Sequence, residues 1–164
     1  MSTRNSYRQE LIFIANEFVL STMKLNGVLR IALIGSITTN KEDPKDIDLL
    51  VTVKDDMDLK RLAKASRRLL GKAQSLNRGG EAFLANPRNQ YIGRICRWKK
   101  CGPWERSTCD ALHCGIRLFL HDDFQNIMIS DTIVSKPPVE VWPKYIARVE
   151  VPDDITKAFS DILS

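Results

Sequence analysis

The sequence predicts an α/β (α+β) fold, a mixed sheet of about four or five strands with helices mainly on one face. Three observations carry that prediction. Leu11, Ile12, Ala15, Phe18, Val19, Thr22 and Met23 recur at helical spacing ahead of an apolar run, Val28 to Ile34, interrupted only by Arg30. A second short run, Ile47 to Val53, places Ile47, Leu49, Val51 and Val53 on one strand face and Asp46 and Asp48 on the other. A second amphipathic stretch then leads through Gly79-Gly80 into Glu81-Ala82-Phe83-Leu84-Ala85. Helix, strand, turn, strand, helix, strand is the resulting order.

The first helix is expected over 7–24. Ser6-Tyr7-Arg8-Gln9 has the form of a capping box at its start, and Asn26-Gly27 stops it. Strand 28–34 follows. Residues 36–45 are polar with Pro44 near the end, which makes them a turn, and strand 47–53 comes next. Asp55, Asp56 and Asp58 put negative charge where a second helix begins, which the helix dipole favours. That helix runs to about Ser75 with Leu59, Leu62, Ala63, Ser66, Leu69, Leu70 and Ala73 inward. Lys60, Arg61, Lys64, Arg67, Arg68 and Lys72 cover the rest, either as a solvated face or as a surface for phosphate or RNA. A third strand begins at Glu81, the turn Asn86-Pro87-Arg88-Asn89 leads to a fourth at 90–98, and 99–110 reads as a loop. Residues 111–120 form a strand or hairpin. The tail 136–164 is extended, with a short last helix from Asp153 to Leu163.

At 164 residues the chain is expected to form one domain, residues 1–164, with a sizeable core. Its apolar stretches are strand-length or broken by charge, so no membrane span is expected, and the N-terminus has no signal-peptide pattern. A cytoplasmic protein follows as the expectation. A net charge of +5 suits an anionic substrate without demanding nucleic acid.

Asp46 and Asp48 are the chemical signal. Two like charges on one strand face gain nothing for folding. A divalent cation relieves their repulsion, and carboxylate oxygens suit Mg²⁺ or Mn²⁺. With Gly35-Ser36 closing the preceding strand nine residues upstream, the spacing points to metal-dependent chemistry on a phosphate.

Ile34-Gly35-Ser36, the nine-residue spacer and Asp46-Ile47-Asp48-Leu49 together resemble the signature of the nucleotidyltransferase superfamily with the DNA polymerase β-like fold. The resemblance covers residues 28–85, about a third of the chain, and is nearest to the small stand-alone, or minimal, members. It implies an Mg²⁺-dependent enzyme that transfers a nucleoside monophosphate from an NTP, ATP among the candidates, to an acceptor and releases pyrophosphate. Gly35 and Ser36 would then cradle the triphosphate, and Asp46 and Asp48 would hold the metal ions. The family's third carboxylate falls on the strand after the next helix. There Glu81 is the only acid, a longer side chain than the more usual Asp; Asp110 is the alternative. Lys41 and Lys45 lie in the turn, as phosphate contacts or plain surface lysines.

Cys96, Cys101, Cys109 and Cys114 all fall within 19 residues, inside the segment 91–121, with His113 beside the last. They supply enough ligands for a structural Zn²⁺, although Cys96 and Cys114 also sit in apolar surroundings where a thiol packs as a small hydrophobe. His121-Asp122-Asp123 reads as a strand-end turn or a metal site. Trp98, Trp104 and Trp142 interleave with Arg94, Arg97, Lys99, Lys100 and Arg106, as core or as an acceptor-side stacking surface over 94–106. The rival functions are a silent nucleotidyltransferase fold used for binding or regulation, as in a toxin–antitoxin pair, a zinc-stabilised RNA-binding module, and (p)ppGpp-type synthesis. Partners are therefore an NTP, an unnamed acceptor, and an RNA or a protein.

Overall fold

A computed structural model describes residues 3–96, 117–121 and 137–161. Among the described residues three helices, α1 (Thr3–Thr22), α2 (Lys60–Gln74) and α3 (Asp153–Phe159), accompany six strands. The strands are β1 (Val28–Ile34), β2 (Asp46–Val53), β3 (Gly79–Ala85), β4 (Tyr91–Ile95), β5 (Leu120–His121) and β6 (Val139–Trp142). They form one sheet in the order β5-β4-β3-β2-β1-β6. β2 and β3 run parallel, joined by the α2 crossover, and every other neighbouring pair is antiparallel. The fold is therefore mixed α+β, as the element order predicts.

The alternation in β2 decides which face is buried. Ile47, Leu49, Val51 and Val53 are all fully buried, in one cluster with Leu11, Ala15 and Val19 of α1 and Leu62, Ala63 and Leu69 of α2. Each such side chain contributes about 1.5–3 kcal/mol on burial, so this layer holds the sheet to its helices. Ile155 and Phe159 of α3 are also fully buried, and Asn16 Nδ2 donates to the Ala158 carbonyl at 3.0 Å, tying α3 to α1.

Several boundaries differ from the sequence reading. α1 starts at Thr3, ahead of the Ser6 box, and ends at Thr22. β3 starts at Gly79 and β4 ends at Ile95. The last helix stops at Phe159 rather than Leu163. β6 was absent from the expected elements: Val139 to Trp142 pairs with β1 and raises the sheet to six strands. Its four residues follow Pro137-Pro138, where the proline signal outweighs so short a β pattern. The loop 99–110 and most of the 111–120 strand or hairpin lie outside the described residues.

α2 ends in a left-handed cap. Asn77 has φ +57°, Arg78 N–H donates to the Ala73 carbonyl at 2.8 Å, and Asn77 N–H to Gln74 at 2.9 Å. The cap turns the chain straight into Gly79 and β3.

Candidate active site

The sheet face turned away from α1 and α2 carries the carboxylates. Asp46 and Asp48 alternate with the buried residues of β2 and so share that face. The parallel pairing of β2 with β3 puts Gly79 beside Asp46 and Glu81 beside Asp48, while β1 places Ile34 on Asp48's other side. Glu81 is thus brought to the Asp46–Asp48 end of the sheet, next to the Gly35–Thr38 turn.

Their electrostatics follow from that crowding. Burial, then the charge of Asp46, then that of Glu81, pushes the Asp48 carboxyl up to about 7. Asp46 is exposed; Asp48 and Glu81 are half-buried. Glu81 turns towards β4, where Arg94 Nη1 donates to its Oε1 at 3.0 Å. Among the described residues no three His, Cys, Asp or Glu side chains are gathered as a ready-made cation cage. The donor set nevertheless suits a hard divalent cation: oxygen ligands only, with Asp48 holding a proton against its neighbours' charge.

Close approach explains Gly79. A Cβ there would fall on Asp46 Oδ1, well inside van der Waals contact. Gly80 has a separate task, since a Cβ at that position would press on Ile47 and on Leu69 of α2. Gly79→Ala is therefore expected to displace the Asp46 carboxylate, weakening Mn²⁺ binding about tenfold while lowering Tm only slightly. Paramagnetic Mn²⁺ titration and thermal unfolding check the two halves of that expectation.

The turn before the carboxylates is built and braced. Gly35 has φ +80°, a conformation that favours glycine, and opens a single 3₁₀ turn over Gly35–Thr38. Thr38 Oγ1 donates to the Gly35 carbonyl and Thr39 Oγ1 to the Ser36 carbonyl, each at 2.7 Å. Arg8 of α1 reaches under the loop and donates to the carbonyls of Ile37 (3.1 Å) and Lys41 (3.0 Å). Its Nε and Nη2 donate to Asp154 of α3 at 2.6 and 3.0 Å, and that contact holds the Asp154 carboxyl below the usual carboxylate range. From the other side Arg78 binds Asp43 at 2.6 Å and lies over the Tyr7 ring, and Gly79 N–H donates to the Lys45 carbonyl at 2.8 Å. Lys41 and Lys45 themselves are exposed.

Sequence reasoning missed both bracing arginines and the role of Arg94 beside Glu81. A charged residue on an amphipathic helix reads as solvent-facing, and only the partners of Arg8, 146 residues away in Asp154, explain its burial. The basic face of α2 lies elsewhere. Lys60, Arg61, Lys64 and Arg67 line a broad groove with Lys24 and Lys54, and Lys54 follows the end of β2 opposite Asp46. Cys96 is buried. Cys101, Cys109, Cys114, Asp110, His113, Trp98 and Trp104 lie outside the described residues, as do Asp122 and Asp123. Trp142 is half-buried at the end of β6, packed against the core. No helix among the described residues is long and apolar enough to cross a membrane.

Compared with known proteins, the chain matches no curated protein and no solved structure. A family model does match, over residues 2–112, which takes in the turn, all three carboxylates and Arg94. The chain belongs to this family, DUF6932, a family of unknown function.

Proposed function

We propose that the protein is a divalent-metal-dependent nucleotidyltransferase of the polymerase β-like type, moving a nucleoside monophosphate from an NTP to an acceptor with release of pyrophosphate. The observation that carries this reading is the meeting of Asp46, Asp48 and Glu81 on one sheet face beside the braced Gly35-Ser36 turn, with Asp48 driven up to about 7. The order of elements supports it too, since a strand, a turn, a carboxylate strand, a crossover helix and a third acidic strand follow one another as the resemblance implies.

Asp46 and Asp48 are the residues that would hold Mg²⁺ or Mn²⁺, with Glu81 completing the set. Bound there, the cation supplies Lewis-acid stabilisation of charge on the phosphoryl oxygens. The chain's own residues do the rest. Gly35 and Ser36 orient the phosphates, and the absence of a side chain on Gly35 lets them approach the backbone. Glu81, as the third carboxylate, would help take the proton of the acceptor hydroxyl. Arg94 holds the Glu81 carboxylate in position.

Incubation with α-³²P-labelled and γ-³²P-labelled ATP, Mg²⁺ and cell extract tests the reading. Label from the α position, and not from the γ position, is expected to enter an acceptor. Transfer of the γ label would make the enzyme a kinase, and transfer of neither label would remove the nucleotidyl reading.

A further inference from the structure

The carboxylate face does not end at Asp48. One same-face step further along β2, about 7 Å away, lies Leu50. Leu50 is flanked by Ala32 of β1, and the next row sets Thr52 against Arg30 on one side and Ala85 on the other. Ala32, Leu50, Thr52 and Ala85 form the floor of a hollow of about 360 Å³. Two alanines on the floor leave the room that larger side chains would fill.

Its rim is charged and fixed. Glu140 of β6 pairs with Ala32 in register and stands between two guanidinium groups. Arg148 Nη1 donates to Glu140 Oε2 at 2.8 Å, and Arg30 Nε lies 3.4 Å from Oε1. Arg30 Nη1 also donates to Asn89 Oδ1 at 2.6 Å. The Glu140 side chain is only 13% exposed, whereas Arg30 is 36% and Arg148 57% exposed. The cations therefore face the opening, and the acid that aligns them sits behind. Each guanidinium carries five N–H donors, so among the described residues both retain donors for an incoming anion.

Position along the strands assigns the occupant a role. The Gly35-Ser36 turn follows Ile34, the carboxylates stand level with Ile34, and the hollow begins at Ala32. Turn, acids and hollow thus follow one another along the strands. In-line displacement at a phosphorus needs the leaving group and the attacking oxygen on opposite sides.

We propose that this hollow is the acceptor pocket and that it takes a small organic anion, a carboxylate or phosphate ester that also bears a hydroxyl. The inference rests on the nucleotidyl-transfer reading and names the acceptor that reading leaves open. The acceptor oxygen forms a bond to the α-phosphorus as the bond from that phosphorus to the β-bridging oxygen breaks. Pyrophosphate leaves on the Gly35-Ser36 side, and the hydroxyl proton passes to the carboxylates and then to water. The volume sits near the lower end of small-ligand pockets, about 300–1,000 Å³, which suits a sugar-phosphate-sized molecule and not the end of a folded polymer.

Ligand-observed NMR with glycerol 3-phosphate, glucose 6-phosphate, gluconate and phosphoserine tests the pocket apart from the reaction. At least one of the four is expected to bind, with affinity reduced about tenfold or more in Arg148→Ala and in Arg30→Gln and unchanged in Asp46→Asn. Arg148 is exposed, so its variant is expected to fold, and thermal unfolding verifies that. No binding by any of the four, or binding that survives loss of both guanidinium groups, overturns the proposal. Binding of the expected kind without transfer of α-label to any acceptor leaves the anion pocket standing and removes the nucleotidyl reading. Transfer of label only to RNA or protein removes the small-anion acceptor and leaves the transferase.

Discussion

Asp48→Asn is expected to lower nucleotidyl transfer by about a thousandfold, about 4 kcal/mol of barrier, and at the same time to make the protein more stable above pH 7. The second half follows from linkage. The Asp48 carboxyl titrates at about 7 in the folded chain and near the ordinary value of 3.8 when unfolded. Between those values the folded form binds more protons, so stability is fully present below the unfolded value and is lost as pH rises to about 7. Asparagine carries no such charge. At pH 8 without divalent metal the variant should exceed the wild type by about 1–3 kcal/mol, and at pH 4 the two should nearly coincide. Mg²⁺ should raise the wild-type Tm at pH 8 and leave that of the variant unmoved. Thermal unfolding of both proteins at pH 4 and 8, with and without Mg²⁺, reads all of this. Equal stability of the two proteins at pH 8 would mean that the acids do not repel one another as their placement requires.

Arg8→Ala is expected to cost about 2–4 kcal/mol of stability, the largest loss from removing any one polar side chain described above. Arg8 is almost fully buried and holds four contacts on two separate segments, Ile37 and Lys41 in the turn and Asp154 in α3. Without it two carbonyls and a carboxylate lose their charged donor together. The Asp154 pKa, held low by Arg8, should return towards its ordinary value. A depressed carboxyl contributes stability above its unfolded pKa that is lost as pH falls through the folded one. The acid limb of the stability profile should therefore be shallower in the variant. Because Arg8 fixes the turn and not the carboxylates, the variant should raise KM for the NTP more than it lowers kcat. Urea unfolding at several pH values and steady-state kinetics separate these effects, and a variant as stable as wild type would show that the turn does not depend on α1.

These two residues mark the limits of what the sequence discloses. Asp48 was legible because strand alternation is local: a carboxylate opposite Ile47, Leu49 and Val51 can be placed from seven consecutive residues. The meeting of Glu81 with Asp48 needed one further inference, the parallel crossover through α2, and the resemblance supplied the order of elements for it. Arg8 was illegible, because its burial is set by Asp154 and by backbone carbonyls that no periodicity in α1 encodes. The hollow beside Leu50 was hidden for the same reason. It exists only because β6 pairs with β1 and brings Glu140 beside Ala32, a contact across more than 100 residues. Local pattern yields faces; the sites between faces come from pairing that the chain does not announce.

The most direct test of the account is a crystal structure with Mn²⁺ and the non-hydrolysable α,β-methylene analogue of ATP, read by anomalous scattering. The account predicts a manganese peak at Asp46 and Asp48, with the triphosphate over Gly35-Ser36 and the α-phosphorus facing the Leu50 hollow. A nucleotide seated elsewhere, such as in the basic groove along α2, with no manganese on Asp46 and Asp48 at saturating concentration, would contradict it.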